Sequence, residues 1–257
     1  MPKTSWILSA SMLAAGWFPV AAATPVYHLD FRQGEMKNSG TAGGEAAPGG
    51  AASRIGAEKD PDLKTFALQL PMDPGGRKGP SVVLPESGPR FHLDGKDDSM
   101  SVALWVKWNG PNGHPDGRHG IASKMPGTQD RGWAFSILND GRLQFNWRTE
   151  KGGSFRSSKD SIPEGEWTHV VLTWMNSGTS KNLRFFINGQ IAGINEEYTG
   201  GGHLVFGDEE IRMGVIGSEN DLPVNGSIAE VSLFEVPLEV SEIEVLATRP
   251  APDAARN

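Results

Sequence analysis

Asn188-Gly189 separates two short apolar runs, residues 183–187 and 190–194, and Asn139-Asp140-Gly141 separates residues 133–138 from 142–147. Asn-Gly and Asp-Gly readily take the positive φ angles of a tight type I′ turn, so each pattern predicts a β-hairpin. Period-two alternation supports the strands: Leu143, Phe145 and Trp147 fall on one face, with Gln144, Asn146 and Arg148 on the other. A hairpin is marginal on its own, so a chain committed to two of them must bury one face of each against another layer.

Other segments supply that layer. Residues 100–108 (MSVALWVKW) are rich in β-branched and aromatic side chains. Val102, Leu104 and Val106 share one face; Ala103, Trp105 and Lys107 share the other. Further strands are predicted at residues 26–31, 66–70, 81–84, 167–174, 211–216 and 226–235. Glycine (33 residues) and proline (18) punctuate these runs, as in a strand-and-turn protein. The Gly/Ala-rich stretch 33–62 lacks periodicity and is expected to form long loops with room for one short strand. Near the end the period changes. Ser241 followed three residues later by Glu244 is a capping-box pattern, and Ile243, Leu246 and Ala247 share a helical face, so one short C-terminal helix is expected.

The chain opens on Met1-Pro2-Lys3, followed by an apolar run, residues 6–23, that ends in Ala21-Ala22-Ala23. A basic start, an apolar middle and small residues at the end describe a secretory signal peptide, residues 1–23, with cleavage after Ala23. The expected location is secreted, periplasmic or at the cell surface. Residues 24–248 are then one sandwich domain, and residues 249–257 (RPAPDAARN) a disordered tail. There is no cysteine, which excludes disulfides and a cysteine-linked lipid anchor. No transmembrane run follows the leader. The formal net charge is −7 and no basic run is present, so nucleic acid is not an expected partner.

Several segments, in this order, resemble the laminin-G-like members of the concanavalin A-like lectin/glucanase superfamily. They are Ser101-Val102-Ala103-Leu104-Trp105-Val106, then Gly120-Ile121-Ala122-Ser123-Lys124, then Gly132-Trp133 with Asp140-Gly141-Arg142-Leu143. Gly165-Glu166-Trp167-Thr168-His169-Val170 leads into Phe185-Phe186-Ile187-Asn188-Gly189, and Ile216-Gly217 precedes Asn225-Gly226-Ser227-Ile228-Ala229-Glu230-Val231. The resemblance covers roughly residues 100–247 and implies an all-β fold. The expected architecture is a two-sheet antiparallel jelly-roll sandwich, concanavalin A-like, with a short C-terminal helix. The family hosts lectins, adhesion modules and glycosidases, so the fold leaves function open.

The chemistry is read mainly by exclusion. A retaining glycosidase needs two carboxylates about 5–5.5 Å apart, which on a strand means acidic residues at i and i+4. No predicted strand carries them. Glu164 and Glu166 straddle Gly165, Glu242 and Glu244 fall on the helix, and Asp208-Glu209-Glu210 is consecutive. There is no Gly-x-Ser-x-Gly elbow, and the six histidines, including His114 and His119, lack zinc spacing. A structural Ca²⁺ is a candidate cofactor, with Glu219, Asn220 and Asp221 as an oxygen-rich ligand loop. In relatives an Asp in the final strand can be a ligand; the position matching it here is Ala229. Trp108, at a strand end, and Tyr198, in the loop 196–202, are candidate rim residues for stacking a sugar. The expectation is an exported, non-enzymatic binding or adhesion module for a glycan or an extracellular surface protein. The alternative is a structural or interaction protein of a periplasmic or cell-surface assembly; a carbohydrate-active enzyme of unrecognised type ranks last.

Overall fold

The structure is a computed structural model that describes residues 22–32, 35–50, 56–72, 78–93, 98–175, 182–198, 200–201, 204–218 and 221–248. All but the last two residues of the expected leader, and the whole expected tail, lie outside the described residues.

The described chain forms two antiparallel sheets and one helix. The first sheet takes β1 (Tyr27–Leu29), β3 (Gly56–Lys59), β4 (Phe66–Leu70), β6 (Ser99–Trp108), β11 (Trp167–Met175), β12 (Arg184–Ile187), β13 (Gln190–Ala192) and β16 (Gly226–Phe234). Its order is β13-β12-β11-β6-β16-β4-β3, with β1 also paired to β16. The second takes β2 (Ala47–Gly49), β5 (Ser81–Val83), β7 (Arg118–Lys124), β8 (Trp133–Leu138), β9 (Arg142–Thr149), β10 (Gly152–Ser161), β14 (Ile194–Tyr198) and β15 (Arg212–Met213). Its order is β14-β10-β9-β8-β7-β15-β5-β2. The two-sheet jelly-roll expectation is met.

Alternation explains the layering. Val102, Leu104 and Val106 of β6 enter the main core, as do Leu143, Phe145 and Trp147 of β9. The sheets lock through aromatic contacts between them: Phe145 meets Trp174 at a centroid distance of 5.3 Å, and Phe135 stacks on Phe185 at 6.1 Å. The first sheet also buries its second face. Ala103, Val171 and Phe186 pack with Phe234 at the end of β16, Leu238 beyond it and Ile243 of the helix α1 (Val240–Leu246). Trp105, Trp167 and Ala229 pack under Leu63. On the second sheet, Met125, Ile216 and Leu222 cover Ala134, at one end of the outer face. The β9-β10-β14 end of that face keeps a groove.

Several local expectations change. Asn188 and Gly189 both take positive φ, 49° and 81°, as a type I′ turn requires. In the other hairpin Gly141 alone does, at 81°, while its N–H donates to the Leu138 carbonyl at 2.9 Å. This is a three-residue loop closed by a left-handed glycine, because Asn139 adds one residue that a two-residue turn has no place for. The helix begins at Val240, and the Glu239 N–H donates to the Glu242 carboxylate at 2.9 Å, so the capping pair sits two residues before Ser241 and Glu244. Residues 211–216 form a strand only at Arg212–Met213, with an isolated bridge from Ile216 to Asp221. The described residues of the stretch 33–62 include two short strands, β2 and β3. β10 and β14 carry no apolar alternation and are unannounced by the sequence: the inward side chains of β10 are Ser154, Arg156 and Ser158.

Candidate ligand-binding site

With Leu143, Phe145 and Trp147 in the core, the period of two sends Gln144, Asn146 and Arg148 to the outer face of β9. Pairing carries the same face across the sheet edge. Gly153, Phe155 and Ser157 of β10 stand opposite Arg148, Asn146 and Gln144, and Tyr198 and Glu196 of β14 stand opposite Phe155 and Ser157. These strands frame a groove of about 430 Å³ lined by Arg118, Asn146, Arg148, Phe155 and Tyr198, with Trp147 reaching it from the core side.

Phe155 and Tyr198 stack with centroids 6.1 Å apart and planes inclined by 28°. Tyr198 is 56% exposed, an aromatic surface supported from one side and open on the other. Beside it Asn146 is only 7% exposed, and its Oδ1 has no hydrogen-bond partner among the described residues. Its Nδ2 has a long contact, 4.0 Å, with the Met125 sulfur. A buried carboxamide oxygen with a free lone pair invites a donor from a ligand. The Arg148 Nε is likewise buried and unpartnered among these residues.

Tyr198 lines this groove, and it ends strand β14 rather than lying in a loop. The expectation for Trp108 is corrected. It is 3% exposed, belongs to the main core and leans on His119 at 5.7 Å, so its ring is not offered to a ligand. A strand end bordered by Gly110 and Pro111 looks like a rim in sequence; the parity of β6 points Trp108 inward with Val102, Leu104 and Val106. His119 is buried as well, and burial lowers its imidazole below the ordinary range. It is therefore separated in role from the half-buried His114, whose Nδ1 accepts the Asp116 N–H at 3.1 Å.

Of the expected calcium loop, Glu219 and Asn220 lie outside the described residues. The Asp221 carboxylate is 4.0 Å from Lys78 Nζ, and its carbonyl accepts the Ile216 N–H at 2.9 Å. Ala229 is fully buried against Trp105 and Trp167. The acidic run Asp208-Glu209-Glu210 already meets a cation, since Lys124 Nζ donates to the Glu209 carbonyl at 2.7 Å and also to the Ser87 and Gly88 carbonyls. No cluster of three or more acidic or histidine side chains fit to hold a metal occurs among the described residues.

Three residues that the sequence does not group approach a hydrolase arrangement. His28 Nδ1 lies 2.8 Å from Ser232 Oγ, and Glu230 lies 3.8 Å from His28 Nε2. Ser232 is 3% exposed, which denies a substrate carbonyl access to its hydroxyl.

Residues 78–244 match the family described as the concanavalin A-like lectin/glucanases superfamily, Laminin_G_3. The chain belongs to that superfamily. Among curated proteins it is 29% identical over 97 residues to the mouse (Mus musculus) Sushi, von Willebrand factor type A, EGF and pentraxin domain-containing protein 1. That stretch is 34% of this chain and 3% of the mouse protein, so the chain spans a small fraction of this relative's length. Among solved structures it is similar to domain 4 of AbnA, a GH43 extracellular arabinanase from Geobacillus stearothermophilus, in complex with arabinotriose. The TM-score is 0.62 at 20% identity, over 88% of this chain and 100% of that one. A structure titled for cell entry of botulinum neurotoxin type C, dependent upon interaction with two ganglioside molecules, gives 0.59 at 16% identity, over 87% of this chain and 50% of that one. These likenesses establish the fold.

Proposed function

We propose that this protein is an exported, non-enzymatic binding module that holds a glycan in the groove beside Tyr198. The supported, open face of Tyr198 next to the unpartnered Asn146 oxygen carries the reading. A sugar ring presents a C–H face to an aromatic and hydroxyls to polar side chains, and this groove offers one of each. A neighbour in fold solved with arabinotriose and another tied to gangliosides lend support. The leader-like segment 1–23 supports secretion to the periplasm, cell surface or medium. Glycan-array binding of the purified chain tests the proposal. Binding to a defined glycan class, lost by at least ten-fold in Tyr198→Ala with an unchanged melting temperature, is expected; an array without signal would overturn it.

A second reading, docking of an extracellular protein, draws on the exposed Val236, Val240 and Val245 around α1. A pulldown partner lost in Val245→Asp, together with a silent array, would favour it.

A further inference from the structure

The arginines on and around the β9-β10-β14 end of the second sheet are matched to carboxylates with one exception. Arg118 holds Asp116 through Nε and Nη2, at 2.5 and 2.8 Å. Arg142 donates to Asp140 at 2.7 Å and lies 3.7 Å from Glu196. Arg156 is engaged by Glu197. Arg148 has no ion pair among the described residues, and its Nε is buried without an acceptor. Its influence on Asp116 is the weakest of those that keep that carboxyl low, behind the hydrogen bond from Arg118. Arg148 also lies across its strand partner: a Cβ on Gly153 would stand 2.6 Å from Arg148 Nη1. The guanidinium therefore rests over Gly153, inside the groove and one residue pair from the Phe155–Tyr198 stack.

We infer that the ligand is an acidic glycan, a sugar chain bearing carboxylates, one of which seats on Arg148. A planar guanidinium with a buried, unanswered edge is matched by the two oxygens of a carboxylate, while a neutral hydroxyl offers it a single uncharged oxygen. Asn146 Oδ1 takes a ring hydroxyl and Tyr198 the ring face. The chain's net charge of −7 acts mostly beyond the screening length of about 8 Å at physiological salt, so it does not decide the contact at the groove. The inference rests on the glycan reading.

Calorimetric titration of the full chain with an oligogalacturonate and with a neutral oligogalactoside of equal length tests it. The acidic oligomer is expected to bind at least ten-fold tighter and to weaken as salt rises. Arg148→Gln should bring the ratio close to one, and Arg148→Lys should restore only part of the preference. Equal wild-type affinity for the two oligomers, or a preference that survives in Arg148→Gln, would overturn the inference and leave the glycan reading standing. A sulfated galactan without carboxylates binding as tightly as the uronate would also overturn it. No binding to any of the three, with a silent glycan array, would remove both.

Discussion

Gly153 and Arg148 face one another across β10 and β9, and the missing side chain of Gly153 is the space that the Arg148 guanidinium occupies. Gly153→Ala is therefore expected to push Arg148 aside while leaving the sheet intact. Its effect on stability should stay within about 1 kcal/mol, because Gly costs a strand roughly that much relative to Ala. Titration with oligogalacturonate, paired with a thermal melt, checks the prediction: affinity should fall several-fold with little change in midpoint. A loss of stability comparable to a core truncation would show that the position is structural.

His169 sits in β11 with its ring against Trp105 at 5.4 Å and its Nδ1 unpartnered among the described residues. Burial pulls its imidazole down to about 4 from the ordinary 6.5. Between those values the unfolded chain binds a proton that the folded chain refuses, so stability rises with pH through the window and falls as acid is added. About 2 kcal/mol should be lost between pH 7 and pH 4.5 on this account. His119, lowered by the same cause, acts in the same direction. Urea unfolding at a series of pH values should show a shallower acid slope for His169→Gln; an unchanged slope would assign the acid sensitivity elsewhere.

Lys124 is fully buried at the end of β7, with its ammonium donating to the Ser87, Gly88 and Glu209 carbonyls. Burial draws its pKa down to about 8, against the opposing pull of Glu209, Asp208 and Glu210. Lys124→Met keeps the stem and strands the three carbonyls. A loss of about 2–4 kcal/mol is expected, the usual cost when a buried charged partner is removed. Chemical denaturation measures it, and a loss below 1 kcal/mol would mean that water replaces the ammonium readily.

Phe145 touches Trp133, Trp147 and Trp174, at centroid distances of 5.9, 5.8 and 5.3 Å. Phe145→Ala should cost about 3–5 kcal/mol and flatten the near-ultraviolet dichroism of the three indoles. A variant with native near-ultraviolet signal and native stability would contradict the packing described.

The strands that face the core were legible because burial imposes alternation. Phe66–Leu70 stands where its sequence placed it, and β6 gains only Ser99 over residues 100–108. β10 and β14 were not legible, since at the sheet edge their residues are polar or exposed and nothing forces a period. That loss matters, because these two strands carry Phe155 and Tyr198. Tyr198 stood out alone as an exposed aromatic, whereas Asn146 and Arg148 were placed on the outer face of β9 with no hint of their neighbours. Trp108 misled because a strand end does not say which way its last side chain points.

The sequence by itself determined the class of the fold, the hairpin at Asn188-Gly189 and the alternating faces of β6 and β9. These are local properties, set by backbone φ, side-chain period and residue type. Only the tertiary structure decided that β14 crosses to the second sheet, stacks Tyr198 on Phe155 and leaves Arg148 unanswered over Gly153. Those are register relationships between segments up to about fifty residues apart, fixed by which edge stays open once the two sheets have closed on their shared core.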